Sequence, residues 1–404
     1  MVHGGRLADG RAQWYRNRWV GTDAVQRRLG RARVPGPRRG AFETVNTNVI
    51  GHGGRLWALV EAGPYPVELD EQLNSVRHGL FDSRVSEAFS AHPHRDPATG
   101  ALHAICYDVL RPRSVHHVVV SPDCRVTRVE RIPVRHGPLV HDSALTQSSM
   151  VILDLPVTFS PRAAMGGDAF PFRWNDRHAA RVGLLPKEES AEQVRWFEVD
   201  PCYAFHTANA VDLPDGGALL DVVVHARMFH RAEHGPEGDV PITFERWTLD
   251  AETRRVERAV LSDRPQEFPR FDERRTGAPY RHVYAAGFSR HHEPQPLLRH
   301  DLEEGRTLSH HFGADHVPGT FVFVPRPNSS AEDDGWLVGY VHALSEENSE
   351  LVILDAQDFE GEPQAVVHLP HRVPMGFHGN WVPLSGIAGR ARNRSPRRIG
   401  VSLP

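Results

Sequence analysis

The sequence predicts an all-β fold, either a β-propeller or a large barrel, on three observations. Short runs of β-branched and apolar residues recur along most of its 404 residues. Turns built from Gly, Pro and Asp separate them, and amphipathic helical periodicity is scarce. Each observation has a place in the chain.

The first clear strand is Arg55-Leu56-Trp57-Ala58-Leu59-Val60, entered from Gly53-Gly54. Leu102 to Tyr107 follows Gly100, and Ser149 to Leu153, Ala218 to Val224, Trp336 to Val341 and Leu351 to Leu354 have the same character. Asp215-Gly216-Gly217 and Asp333-Asp334-Gly335 share one grammar, an acidic-glycine turn followed by an apolar strand. No strict repeat counts the blades. Asp70 to Asn74 is one short helix candidate. Phe159 to Asp176, rich in Pro, Gly and aromatic residues, reads as a long loop. One domain is expected over residues 1–384. Residues 385–404 carry Arg390, Arg392, Arg394, Arg397 and Arg398 with no acidic residue, and read as a basic, disordered tail.

Composition narrows the function classes. Hydrophobic residues make up 40% and charged residues 24%, ordinary for a globular protein. A formal net charge of −4 offers no basic field for nucleic acid. Cys106, Cys124 and Cys202 form no CxxC pair and no even disulfide framework. They read as buried small hydrophobes in a reducing compartment. No apolar run reaches the roughly 18 residues of a membrane span, and Met1-Val2-His3-Gly4-Gly5-Arg6 lacks a signal-peptide core. A cytoplasmic protein is expected.

The chain holds 26 histidines. With so many, some quartet at any spacing arises by chance, so local context must decide. Four contexts are compact and unusual: Ala91-His92-Pro93, Val140-His141-Asp142-Ser143, Phe205-His206-Thr207-Ala208-Asn209 and Gly376-Phe377-His378-Gly379-Asn380-Trp381. None forms an i, i+4 pair, which excludes a helical HExxH zinc site. If they meet, they meet at the axis of a closed fold. His94, His103, His116, His117, His178, His225, His291, His292, His310 and His311 read instead as satisfied or exposed side chains.

These contexts resemble the carotenoid cleavage oxygenase family, which includes apocarotenoid oxygenases, lignostilbene dioxygenases and the retinal-pigment-epithelium isomerase. Further blocks in family order are Glu43 to Asn48, Ala91 to Pro97, Glu267-Phe268-Pro269-Arg270 with Pro279-Tyr280-Arg281, and Glu332 to Gly335 through Leu354-Asp355-Ala356. The resemblance runs from Met1 to about Pro383. It implies a seven-bladed β-propeller with iron on its axis, with His92, His141, His206 and His378 on the four ligand positions. Imidazole suits Fe(2+) as it suits Zn, Cu and Ni, so the resemblance, not the residue type, chooses iron.

The family orients its ligand histidines with three glutamates. Glu61 and Glu267 match two; the third position holds Thr320, a departure that leaves one histidine's support open. Thr47 matches a position near an open coordination site. Where the lignostilbene branch carries a lysine before Glu61, this chain has Val60, which favours an apolar polyene. The family usually has a longer leader, so the N-terminal blade is expected to be incomplete and the fold less stable for it. Between Phe159 and Phe172 only Met165, Phe170 and Phe172 are sizeable hydrophobes, consistent with weak peripheral membrane contact at most.

The implied activity is a dioxygenase that splits a carbon–carbon double bond of a carotenoid or apocarotenoid with O2. A stilbene-cleaving dioxygenase is the alternative within the fold. A non-catalytic propeller binding apolar ligands is the alternative outside it.

Overall fold

The most continuous apolar runs in the sequence are strands that the fold buries on both faces. In the computed structural model, which describes residues 1–40, 43–230, 240–289, 293–345, 348–383 and 387, Leu102–Tyr107 and Ser149–Asp154 are buried at every position. A strand covered on both sides has no solvent face to alternate toward, so it reads as a continuous apolar run. Arg55–Leu59, Ala218–His225, His282–Gly287 and Gly335–Ala343 occupy the same place in their own sheets.

Each is the second strand of a four-stranded antiparallel sheet, and there are six such sheets among the described residues. The first runs Asn48–His52, Arg55–Leu59, Val67–Leu69, Ser75–His78; the second His94–Arg95, Leu102–Tyr107, Ser114–Val120, Val126–Pro133. The third is Ala144–Leu145, Ser149–Asp154, Arg181–Pro186, Arg195–Glu198, and the fourth Thr207–Asp212, Ala218–His225, Ile242–Leu249, Val256–Ser262. The fifth is Gln266–Arg270, His282–Gly287, Leu297–Asp301, Arg306–His310, and the sixth His316–Pro325, Gly335–Ala343, Ser349–Asp355, Ala365–His368. The leading strands of the third to sixth sheets touch in succession, so the sheets are blades of a propeller whose leading strands line the centre. Outermost strands such as Val256–Ser262 and Ala365–His368 are largely exposed.

The expectation of seven blades is therefore corrected to six. The N-terminal residues form a two-stranded hairpin, Val2–Ala8 with Arg11–Arg18, rather than a blade. Val2 and Trp14 of the hairpin pack with Leu56, Ala58, Val67 and Leu73 of the first blade. Its Val2–Ala8 strand also lines a cavity shared with Val338, Tyr340 and Leu351 of the sixth. The hairpin thus stands between the first and last blades.

Two other expectations change. Asp70 to Asn74 is a turn, not a helix: the Asp70 carboxylate accepts from the Gln72 and Asn74 amides and so closes the chain too tightly for a helix. Phe159 to Asp176 is not a loop throughout. It holds a short hairpin, Val157–Phe159 with Phe172–Trp174, and the one-turn helix Pro161–Met165 capped by Ser160. Met165 there is 83% exposed while Phe172 is buried. No helix of the described residues is long and apolar enough to cross a membrane. Cys106, Cys124 and Cys202 are free and buried. His291, His292 and, but for Ile387, the basic segment 385–404 lie outside the described residues.

Blade cores pair buried tryptophans with arginine. Trp247 lies beneath the Arg258 guanidinium, which forks onto Glu245 at 2.7 and 2.8 Å, and the Trp247 indole donates to the same carboxylate. Beside it, fully buried Phe244 packs with Ala208, Val223 and Val283 behind the fourth blade's leading strand. Phe244→Ala is expected to cost about 3–5 kcal/mol of stability through the cavity it leaves, measurable as a lowered denaturant midpoint.

Candidate metal centre

The four singled-out histidines sit where the chain turns onto the propeller's innermost strands. His92 precedes His94–Arg95, His141 precedes Ala144–Leu145, His206 precedes Thr207–Asp212, and His378 follows the sixth blade. A residue just before a leading strand faces the axis, so side chains far apart in sequence converge. One nitrogen from each of the four lies within 4.8 Å of all the others. His206 Nε2 is 3.3 Å from His141 Nε2 and 3.2 Å from His378 Nε2. His92 Nε2 is buried without a hydrogen-bond partner.

Carboxylates set the protons. Glu267 Oε2 accepts from His206 Nδ1 at 2.7 Å, and its other oxygen accepts from His225 Nε2. Burial opposes the charge on Glu267, but the two imidazoles outweigh it and hold the carboxyl far below the usual range. Glu61 Oε2 stands 2.9 Å from His141 Nδ1, an ion-pair approach without an aligned hydrogen bond. Burial opposes a charged His141; the nearby Glu61 overcomes it and raises the pKa above the ordinary histidine value. His92 and His378 are driven well below that value by burial and then by their neighbouring imidazoles, and so are neutral.

With its Nδ1 proton given to Glu267, His206 presents an Nε2 lone pair to the axis. His141 Nε2 and His378 Nε2 stand 3.3 and 3.2 Å from it, and the buried His92 Nε2 forgoes a hydrogen bond. A divalent cation would give all four nitrogens a partner at once. Ligand nitrogens at right angles, each about 2.1 Å from one ion, stand roughly 3 Å apart, close to the spacing found. The donor set therefore fits a metal ion.

Thr320 does not reach an imidazole. Its hydroxyl donates to the Phe377 carbonyl at 2.7 Å, so it holds the backbone beside His378. Thr47 accepts the His378 amide at its carbonyl, 3.2 Å away, and lines the cavity beside His378.

Other residues escape a sequence reading. His225 belongs to the Glu267 network, and only the pairing of Ala218–His225 with its neighbours brings it there. His94 donates to Asp142 at 2.9 Å, and Asp142 also accepts the Thr207 amide and hydroxyl, locking the second, third and fourth blades together. Phe268 packs 5.2 Å from both His206 and His378. Its φ of 58° is left-handed, at an irregularity in the pairing of Gln266–Arg270. That conformation costs on the order of 1–3 kcal/mol and turns Glu267 and Phe268 toward the histidines together. The Glu267-Phe268-Pro269 block was the available signal.

Two cavities meet at this centre. One, about 260 Å³, is lined by His92, His206 and His378 with polar His94, Arg95, Asp142, Arg270 and Glu273. The other, about 330 Å³, is lined mainly by apolar side chains including Val45, Leu73, Val338, Leu351 and Phe377, and ends at Thr47 and His378.

The family model described as retinal pigment epithelial membrane protein matches residues 1–383. A carotenoid cleavage oxygenase of Mycobacterium tuberculosis is 40% identical over 434 residues, covering 95% of this chain and 86% of that protein. The crystal structure of Pseudomonas brassicacearum lignostilbene dioxygenase superposes with a TM-score of 0.84 at 29% identity, covering 94% of this chain and 86% of that one. Cobalt-substituted Synechocystis apocarotenoid oxygenase superposes at 0.80 with 26% identity and the same coverage.

Replacing His206 by Ala is expected to abolish retention of a divalent metal through gel filtration. Glu267→Gln is expected to weaken affinity about 10–100-fold, the usual effect of losing a partner that orients a ligand imidazole. Metal analysis of the eluted protein checks both; full occupancy in the His206 variant would refute the ligand assignment.

Proposed function

Because the chain belongs to the carotenoid cleavage oxygenase family, we propose that it is a non-haem Fe(2+) dioxygenase that splits a double bond of a carotenoid or apocarotenoid. The alkene and O2 become two carbonyl products, with one oxygen atom in each, so no further reductant is needed. The observation that carries this reading is the convergence of four imidazoles, two of them paired with carboxylates, beside an apolar cavity.

His92, His141, His206 and His378 would hold the ion as four neutral ligands. When bound, Fe(2+) supplies a site for O2, because four nitrogens leave coordination positions free. The rest falls to this chain's side chains. Glu267 fixes the tautomer of His206, so that its Nε2 presents a lone pair, and the Glu61 carboxylate stands 2.9 Å from His141 Nδ1. Phe205, 5.2 Å from His141, and Phe268, 5.2 Å from His206, pack aromatic rings against the histidines. The apolar cavity, about 330 Å³, is large enough to seat part of a hydrocarbon substrate. Its sequence relatives support a carotenoid-type substrate, and the lignostilbene dioxygenase neighbour keeps a stilbene as the second reading.

Val60 favours the first. It packs against the apolar cluster that joins the first blade to the N-terminal hairpin, and leaves no cation at that position to hold a phenolate. Aerobic incubation with an apocarotenal and with a resveratrol-type stilbene, followed by mass spectrometry, separates the two. Two carbonyl products from the apocarotenal, each labelled from isotopically heavy O2, are expected, with no cleavage of the stilbene. The reverse pattern would transfer the assignment to stilbenes.

A further inference from the structure

The four histidines are not held alike. Glu61 and Glu267 stand against the rings of His141 and His206, whereas among the described residues no carboxylate pairs with the ring of His92 or His378. His92 is followed by Pro93, which stiffens the chain beside it. His378 has the opposite surroundings. It lies between Gly376 and Gly379, and a side chain built at Gly379 would meet nothing within 4 Å. Met375 and Phe377 nearby are 49% and 54% exposed.

What fixes this segment is hydrogen bonding by its backbone and by the Asn380 side chain. The His378 amide donates to Thr47 O, the Phe377 carbonyl accepts from Thr320 Oγ1, and Asn380 donates to Asn48 Oδ1 and Val49 O while accepting from Arg270. The peptide is pinned on three sides, while the His378 ring meets other rings, Phe268 at 5.2 Å, His206 at 4.9 Å and His92 at 4.6 Å, and no carboxylate among the described residues. His378 lines both cavities, the one member of the four that does so.

The geometry points to His378 as the labile arm of the metal centre, with Thr320 as the positioning residue that keeps it within reach through the Phe377 carbonyl. This rests on the ligand assignment made above. A ring with no acceptor for its Nδ1–H is a weaker and less directed donor than one backed by a carboxylate. Its Nε2 can leave the ion and return while the other three nitrogens stay, which frees one more coordination position without loss of the metal.

The test follows the metal, not turnover. Protein loaded with Fe(2+) under anaerobic conditions, or with Co(2+), is challenged with excess chelator, and the release rate is read alongside the melting temperature. Thr320→Val, which removes the hydroxyl, is expected to release metal about tenfold faster or more with little change in melting. Thr320→Ser, which restores the hydroxyl, is expected to return to the parent rate. Thr320→Glu places a carboxylate at the same position and is expected to slow release about tenfold. His378→Ala is expected to retain more metal than His206→Ala, because it removes the arm that already dissociates.

Release rates within twofold of the parent in both the Val and Glu variants would overturn the role of Thr320. Equal metal loss in the two histidine variants would overturn the labile arm. A parent protein that holds no metal would overturn the ligand assignment itself, whichever substrate it cleaves or fails to cleave.

Discussion

Four imidazole nitrogens brought to within 4.8 Å of one another impose the condition that the remaining structure satisfies. Ring contacts contribute little on their own, so the surrounding strands must hold the four together. The leading strands do this by lining the propeller centre: those of the second, third and fourth blades follow His92, His141 and His206 within three residues. Glu267 lies on the leading strand of the fifth blade, Thr320 on that of the sixth, and Thr47 immediately before that of the first. A ring of short strands is an economical way to place side chains from distant parts of the chain around one point.

Hydrogen bonds between neighbouring blades make the ring rigid. Asp142 ties His94 to Thr207, and Asn209 accepts from the Gly277 amide while donating to the carbonyls of Arg275 and Ala278. Gly277 is needed at that contact. Its φ is +80°, and a Cβ there would stand 2.8 Å from backbone atoms of Thr146 and Gln147. Between the first and last blades the two-stranded hairpin takes the place of a full sheet, and the segment carrying His378 bonds to the first blade through Asn380. Of the four histidines, His378 alone follows the blades rather than introducing one.

The two cavities differ in lining. The smaller brings charged groups such as Arg270 and Glu273 together with apolar ones such as Phe268 and Phe271 to His92, His206 and His378; the larger brings mainly apolar side chains to Thr47 and His378. A hydrocarbon is a poor ligand and gains its binding energy from burial, so the larger cavity is where the proposed polyene would sit. This arrangement joins the family membership to the proposed cleavage of a polyene.

By itself, the sequence determined the all-β class, the second strand of five blades and the residues that converge. Strands buried on both faces carry uninterrupted apolar runs, and the blocks around His92, His141, His206 and His378 set these four apart from the other histidines. Blade number was not legible, because fourth strands such as Val256–Ser262 and Ala365–His368 are largely exposed and the leading strands of the second and third blades are two residues long, with no pattern to count. The partners were not legible either. His225 reaches Glu267, and Thr320 reaches the Phe377 carbonyl instead of a ring, through contacts between strands remote in the chain. Only the tertiary structure decided these, because hydrogen-bond direction depends on where side chains come to rest, and composition and spacing carry no record of it.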